Sequence, residues 1–415
     1  MTNQLVAHLF RHEAGRMASV LTCYLGFARL DLAEDIVQDA LMQALHTWPA
    51  HGIPENPRAW LYRTAKNRAL DVLRHEKQHR QVSDEYLADL PEPNPADMER
   101  LFFDDELNDS QLRMLFACCH PALSVESQVA MCLKILCGLS VREIADAFLT
   151  APDTIEKRLY RAKEKVRADT TRLDVPTGLQ LSARLGAVLK SLYLLFNEGY
   201  YSQHSDALIR QDLCAEALRL TLLLIGQPRT DAPPVRALLA LMCFQTARFA
   251  ARTDADGAIV LLPEQDRSRW DTALIARGEE FLNQSAVGDM LSDYHLEAAI
   301  AACHCTAPTY AETDWNRILH YYDLLLARQP TSGIVALNRA VALAQVAGPL
   351  QAIAEVSNLT GLDRNPHYHA ILGDLYCQNQ QPEPARQHLR QALALATAPA
   401  ERALLTKKLR EVDPN

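Results

Sequence analysis

The stretch LSVREIADAFLTAPDTIEKRLYRAKEKVR, residues 139–167, decides the fold. Val141, Ile144, Ala145 and Phe148 fall at i, i+3, i+4 and i+7, one face of a helix. After a short turn, Ile155, Leu159, Ala162 and Val166 recur at i, i+4, i+7 and i+11. Thr150, with Asp153 three residues on, has the form of a capping box opening the second helix. That helix carries Lys157, Arg158, Arg161, Lys163, Lys165 and Arg167 against Glu164. Two short helices joined by a tight turn, the second basic, make a helix-turn-helix that sets a recognition helix in a DNA major groove. A plain amphipathic surface helix explains the apolar stripe equally well; the density of bases favours DNA.

Upstream, residues 1–80 also read as helices. In 32–45, Ile36, Ala40, Leu41, Ala44 and Leu45 form an apolar stripe, and Glu34, Asp35, Gln38 and Asp39 lie opposite. The run WPAHGIPENP, 48–57, breaks the pattern with three prolines and a glycine. A new helix opens with Asn56 as N-cap and Pro57 at its first position and runs to about Arg80, with Leu61, Ala65, Ala69, Val72 and Leu73 inward. It holds seven bases (Arg58, Arg63, Lys66, Arg68, Arg74, Lys77, Arg80) against Asp71 and Glu76, with Trp60 and Tyr62 interleaved. Two readings stay open: phosphate contacts with rings stacking on unpaired bases, or a solvated basic helix whose Trp60 belongs to the core.

Residues 81–110 contain ten acids, one base (Arg100) and three prolines, the composition of an acidic, extended linker. The helix-turn-helix domain then spans 111–173. From 176 to 415 the chain again reads as helical. Gly373, Tyr376, Ala385, Leu389 and Ala392 have tetratricopeptide spacing, and 33 residues earlier Ala340, Leu343, Ala352, Val356 and Leu359 fill the same slots. A looser unit holds Ile318, Tyr322, Leu325 and Pro330, and the signal is clearest over 333–398. The fold class is therefore all-α.

Composition agrees. Of 415 residues, 48% are hydrophobic, 22% charged and only 15 are glycine, with a net charge of −9. An acidic whole argues against a protein that coats DNA nonspecifically, but not against local basic faces. The apolar runs 185–196 and 213–225 are interrupted by charges and fall short of a membrane span, and the N-terminus does not read as a signal peptide, so a cytoplasmic protein is expected. The 10 cysteines would stay thiols in that compartment. Cys118-Cys119-His120 and Cys303-His304-Cys305 lack ligand-converging spacing, and His367 and His369 at i, i+2 do not share a helix face. No metal or cofactor is expected. No GxSxG, HExxH, GxGxxG or GxxxxGK[ST] occurs, so no enzyme is expected either.

AEDIVQDALMQALHTW (33–48) with ENPRAWLYRTAKNRALDVLR (55–74) resembles the core-binding and −10 segments of bacterial RNA polymerase sigma factors of the extracytoplasmic-function group. Residues 139–167 resemble their −35-reading helix-turn-helix. LFACCHPALS (115–124), LYLLFNEGYYS (192–202) and LLPEQDRSRW (261–270) resemble the subgroup with a long C-terminal tetratricopeptide-type extension.

The resemblance implies that Asp35, Gln38, Asp39 and Met42 dock on the clamp helices of the polymerase largest subunit, and that the second module meets the flap. It implies a pocket at 49–56 for a flipped −10 base, with His51 and Asn56 as polar groups. Arg58, Arg63, Lys66, Asn67 and Arg74 would hold phosphates and the opened strand. Thr154, Lys157, Arg158 and Arg161 would face the −35 box, where a bidentate Arg–guanine pair is the strongest specific option. Leu149 stands where the family usually has Gly, and Glu156 where a base is common, so the −35 preference does not carry over.

In the extension, Glu198 is either a buried polar anchor or part of a helix end capped by Gly199 with Tyr200 and Tyr201 packing. The extension would contact a regulator, the polymerase or the sigma modules themselves. The competing class is a stand-alone helix-turn-helix regulator with a tetratricopeptide-type sensory domain. Such a regulator has no need of an acidic docking helix followed by a Trp-bearing basic helix.

Overall fold

The computed structural model describes residues 2–80, 104–148, 150–169, 173–200, 209–254 and 257–412. Among these the chain is helical, and a single bridge pairs Thr253 with Ile259. It divides into two compact units, Met1–Leu195 and Phe196–Asn415.

In the first unit, α1 (Thr2–Leu25), α2 (Leu30–His51) and α3 (Pro57–Arg80) enclose a core of Met17, Val20, Leu21, Ile36, Val37, Ala40, Ala44, Trp48, Leu61 and Ala65. Asn56 caps α3 as expected, its Oδ1 accepting from Ala59 N at 3.0 Å. Trp60 meets Trp48 edge-on at 5.6 Å and packs on this core, and Tyr62 is buried in it. Of the two rings that the sequence offered for base stacking, Tyr62 is therefore a core residue, while Trp60 packs on the core and stays partly exposed.

Three local expectations change. First, α2 runs through Pro49 to His51 and ends at Gly52, whose φ of 85° suits only glycine well. Proline in a last turn removes one backbone bond and leaves the earlier turns intact. Second, Leu45 is 51% exposed, with Ala44 and Trp48 taking the inner positions instead. Third, the acidic stretch expected as linker to 110 turns helical at Asp104. Asp104, Asp105 and Glu106 form the first turn of α4 (Asp104–Cys118), where the helix dipole favours acids. The rest of that expected linker, 81–103, lies outside the described residues.

The helix-turn-helix follows α5 (Val125–Met131) and a π-turn (Cys132–Leu136), and consists of α6 (Val141–Ala147) and α7 (Pro152–Asp169). Ile144, Ala145, Ile155, Leu159, Ala162 and Val166 are all buried, as their spacing requires. The capping box sits one helix earlier than expected. Ser140 N donates to Glu143 Oε2 at 2.8 Å and Glu143 N to Ser140 Oγ at 3.2 Å, opening α6. α7 opens instead at Pro152, a residue suited to a first helical position. Leu149 lies outside the described residues.

The boundary between units falls within α8 (Leu179–Tyr200). The second unit continues with α9 (Gln211–Ile225), α10 (Pro233–Ala247), α11 (Thr272–Ser285), α12 (Asp293–Thr306) and α13 (Trp315–Arg328). The repeat region is α14 (Gly333–Ala347) with α15 (Pro349–Ser357), α16 (Pro366–Gln378) with α17 (Pro382–Leu395), and α18 (Pro399–Val412). Ala340, Ala352 and Val356 share one cluster, and Leu389 and Ala392 another, so the small-aromatic-small slots are where paired helices meet. Gly373 has to be small: a Cβ there would lie 2.7 Å from Leu389 Cγ.

Candidate polymerase and nucleic-acid interface

Asp35, Gln38, Asp39 and Met42 lie together on the open face of α2. Met42 is 50% exposed and Leu45 carries the apolar strip a further turn. An acidic face with an uncovered apolar strip is what a helix-docking surface needs. Asp39 is steadied by Arg68, Oδ2 to Nε 2.8 Å, on a groove of about 460 Å³ between α2 and α3 that Asn67 and Asp71 also line.

The basic residues of α3 separate into two sets. Arg63, Asn67 and Arg74 are exposed and Lys66 is partly so; Arg74 also pairs with Asp71 at 3.6 Å. Arg58 points the other way. Its Nε donates to Tyr62 Oη at 2.7 Å, and it pairs with buried Glu13 at 3.4 Å and with Asp104 at 3.0 Å. Tyr62 in turn donates to Glu13. Burial first, and then that carboxylate, push the phenol up to about 12. A buried carboxylate needs such partners, so Arg58 has a structural duty of its own at the start of α3. His51 is exposed, with Nδ1 3.2 Å from Thr47 O.

On α7, Thr154, Lys157 and Arg161 are exposed; Arg158 is partly covered, its guanidinium 5.3 Å from the centre of the Phe148 ring. With Lys165 and the Ser124 end of α5 they line a groove of about 430 Å³. Four bases and a helix start converge there, which suits a phosphate backbone beside a base edge.

The other two bases of this helix behave differently, which sequence spacing did not reveal. Lys163 and Arg167, one turn apart, face α2. Lys163 Nζ lies 2.6 Å from Glu34 Oε2 and 3.0 Å from Asp31 Oδ1, and Arg167 also bonds Asp31. Burial opposes the charge on Lys163, but Glu34 and Asp31 more than offset it and hold its pKa above the ordinary value. Burial likewise pushes Asp31 up, yet hydrogen bonds from Arg167 and Lys163 prevail and hold it below the usual carboxylate range.

Several motifs of the extension turn out to be packing devices. α8 continues through Gly199 rather than ending on it; a Cβ there would lie 2.7 Å from Cys214 Sγ, so glycine permits the approach of α9. Tyr200 stacks on Phe196 at 6.0 Å, and Tyr201 lies outside the described residues. Arg252 caps the end of α8 by donating to Tyr200 O at 2.6 Å. Arg267 caps α12 through His304 O and Ala307 O, both at 2.7 Å, and lies 4.4 Å from the centre of the Trp270 ring. Guanidinium groups at helix C-termini answer the dipole and the orphan carbonyls together.

Cys119 and Cys132 are buried with sulfurs 3.6 Å apart, and His369 pairs with His388, Nδ1 to Nδ1 3.1 Å, rather than with His367. Among the described residues no three His, Cys, Asp or Glu side chains form a set able to hold a metal. Nor does any described helix have the length and apolarity to cross a membrane.

Residues 9–79 match the sigma-70 region 2 family, 113–166 the sigma-70 region 4 family, and 184–286 a family of unknown function. An uncharacterized protein of Rhizobium meliloti is 37% identical over 385 residues, 92% of this chain and 90% of its own. The RNA polymerase sigma factor SigV of Bacillus subtilis is 28% identical over 148 residues, 35% of this chain and 80% of its own. The ECF RNA polymerase sigma factor SigL of Mycobacterium tuberculosis is 28% identical over 144 residues, 34% of this chain and 77% of its own. The two sigma matches bracket the two helical modules just described. The chain belongs to the extracytoplasmic-function type of RNA polymerase sigma factors, with a C-terminal extension that is a separate domain.

Proposed function

We propose that this protein binds core RNA polymerase, brings it to promoters with −10 and −35 boxes, helps open the DNA there, and is regulated through its C-terminal unit. The observation that carries the reading is the division of labour between two helices. α2 presents an acidic face with exposed Met42 and Leu45, and α7 presents Lys157, Arg158, Arg161 and Lys165 around a groove. Asp35, Gln38, Asp39 and Met42 then meet the clamp helices. His51, Asn56, Arg63, Lys66, Asn67 and Arg74 hold the −10 element, with Arg58 bracing α3 behind them. Thr154, Lys157, Arg158 and Arg161 read the −35 box. The chain catalyses nothing itself; nucleotide chemistry belongs to the polymerase.

Fluorescence anisotropy with a promoter duplex tests the reading. The chain alone should bind weakly, and adding core polymerase should tighten binding by several orders of magnitude. Tight, specific binding without polymerase would instead favour a stand-alone regulator. Regulation by the extension is tested by removing Phe196–Asn415, the second compact unit. A change in transcription of either sign supports it, and unchanged transcription contradicts it.

A further inference from the structure

Two motifs that stand out in the sequence, LLPEQDRSRW (261–270) and Cys303-His304-Cys305, meet in the second unit, where Arg267 Nη1 donates to His304 O at 2.7 Å. Two guanidinium carbons approach the centre of the Trp270 ring, Arg267 at 4.4 Å and Arg248 at 5.5 Å, so the two cations lie within about 10 Å of each other. Trp270 is 5% exposed and Arg248 8%. Like charges so close and so little hydrated call for an anion to answer them.

Among the described residues no carboxylate pairs with either. Arg248 Nε bonds the Gln265 amide oxygen at 3.3 Å, and Arg267 bonds only backbone carbonyls. Asp266 is taken up by Ser268, and Asp271 by Leu274 N at the start of α11. α10 and α12 end beside the two cations, but a helix end offers only about half a charge, so about one positive charge is left over. Burial first, and then Arg248 and Arg267, push His304 down to about 4, as that surplus requires.

Three polar atoms are left over as well. Arg267 Nη2, Trp270 Nε1 and His304 Nδ1 are buried and have no hydrogen-bond partner among the described residues. The capping bonds of Arg267 to α12 use Nη1 alone, so capping explains neither Nη2 nor the indole N–H. Buried polar atoms are ordinarily satisfied. Guanidinium and indole nitrogens only donate, so what they lack is an acceptor. The cluster reaches solvent: Arg267 and His304 are only partly covered, and Arg269 is exposed two residues along the chain.

We infer that Arg248, Arg267, Trp270 and His304 form a binding site for a small oxyanion, the phosphate of a metabolite or phosphate itself. A tetrahedral oxyanion accepts from several directions at once, as donors on different side chains require, whereas one guanidinium fork saturates a carboxylate. The site lies within the second unit and goes beyond the sigma-factor reading, since it holds whether or not the chain docks on polymerase.

The test is a phosphate titration of the full chain labelled with nitrogen-15 at its four tryptophans. At constant ionic strength, inorganic phosphate should shift the Trp270 indole N–H signal saturably, with half-saturation at about 1 mM or below. Trp315, whose ring lies 5.3 Å from that of His304, should follow, while Trp48 and Trp60 stay in place. A Trp270 signal that does not move, or one that moves only together with Trp48 and Trp60, overturns the site. Arg248→Gln and Arg267→Gln should each weaken the response at least tenfold; a response undiminished in both overturns it too. Should either variant fail to fold, phenylglyoxal modification of the parent chain decides: phosphate should slow modification of Arg267 at least threefold, and an equal rate overturns the site. Glycerol 3-phosphate separates the two sources. Tighter binding than inorganic phosphate supports the site as one for a phosphate-bearing metabolite, and weaker binding supports it as one for free phosphate.

Discussion

Lys163 Nζ lies 2.6 Å from Glu34 Oε2, although 129 residues separate them in the chain. The contact sorts the bases of α7 by function. Lys157, Arg158, Arg161 and Lys165 line an open groove, while Lys163 and Arg167 are committed to acids on α2. Side chains four apart share a helix face, so two parallel stripes of one helix serve two tasks.

Asp39→Arg tests the docking face. Asp39 is half exposed and its pair with Arg68 is worth at most about 1 kcal/mol, so thermal stability should change little. Core binding measured by co-elution should fall at least tenfold. A variant that co-elutes as the parent does would remove Asp39 from the interface.

Arg158→Ala tests base reading on α7. If its guanidinium grips a guanine edge, binding of the holoenzyme to the preferred −35 box should weaken by about 1–3 kcal/mol, with discrimination at one position lost. Lys157→Ala, as a phosphate contact, should weaken all sequences alike and flatten the salt dependence. Equal losses across all boxes for Arg158→Ala would make it a phosphate contact as well.

Gly15→Ala reverses the usual sign of a helix substitution. Alanine in a helix interior ordinarily gains about 0.5–1 kcal/mol over glycine. At Gly15 the new methyl would meet Leu136 backbone atoms at 2.1 Å and 2.7 Å, which backbone shifts must relieve at about 1–3 kcal/mol. Urea unfolding should therefore show a net loss of stability. A gain would mean that α1 does not pack on the π-turn in solution.

Glu198→Gln should flatten part of the pH dependence of the extension. Burial pushes the Glu198 carboxyl up to about 7, against the pull of Arg210, while in the unfolded chain it ionises near 4.5. Between those values the unfolded state holds fewer protons, so stability falls as pH rises. Taken whole, the displacement is worth about 3 kcal/mol, which water reaching the partly exposed carboxyl cuts to about 1–2. The variant should gain that much over the parent at pH 8 and nothing at pH 4. His304, driven down to about 4 by burial and by Arg248 and Arg267, works in the opposite sense and favours the fold as pH rises from 4 towards 6.5. A Glu198→Gln difference in unfolding temperature that ignores pH would contradict the assignment.

The helix-turn-helix was legible in the sequence because its stripe at 141–166 is a local property of helix period. The buried Ile144, Ile155, Leu159 and Val166 all follow from it. The repeat slots were legible for the same reason. Other features were not, because they depend on partners distant in sequence. Nothing in the spacing of α7 distinguishes Lys163 from Lys165, yet one faces Glu34 and the other a groove. Arg58 reads as one more base of α3 until Glu13 and Asp104 are placed beside it. The Ser140–Glu143 capping box stands in the sequence as S-x-x-E, while Thr150 and Asp153 share its spacing although α7 opens at Pro152.

The central claim is tested most directly by mixing the purified chain with bacterial core RNA polymerase, isolating the complex, and running off transcripts from a library of genomic fragments. The account predicts a stable complex and new transcripts whose start sites share a two-box promoter, both lost with Asp39→Arg. No complex with core, together with salt-sensitive binding of the chain alone to specific duplexes, would contradict it.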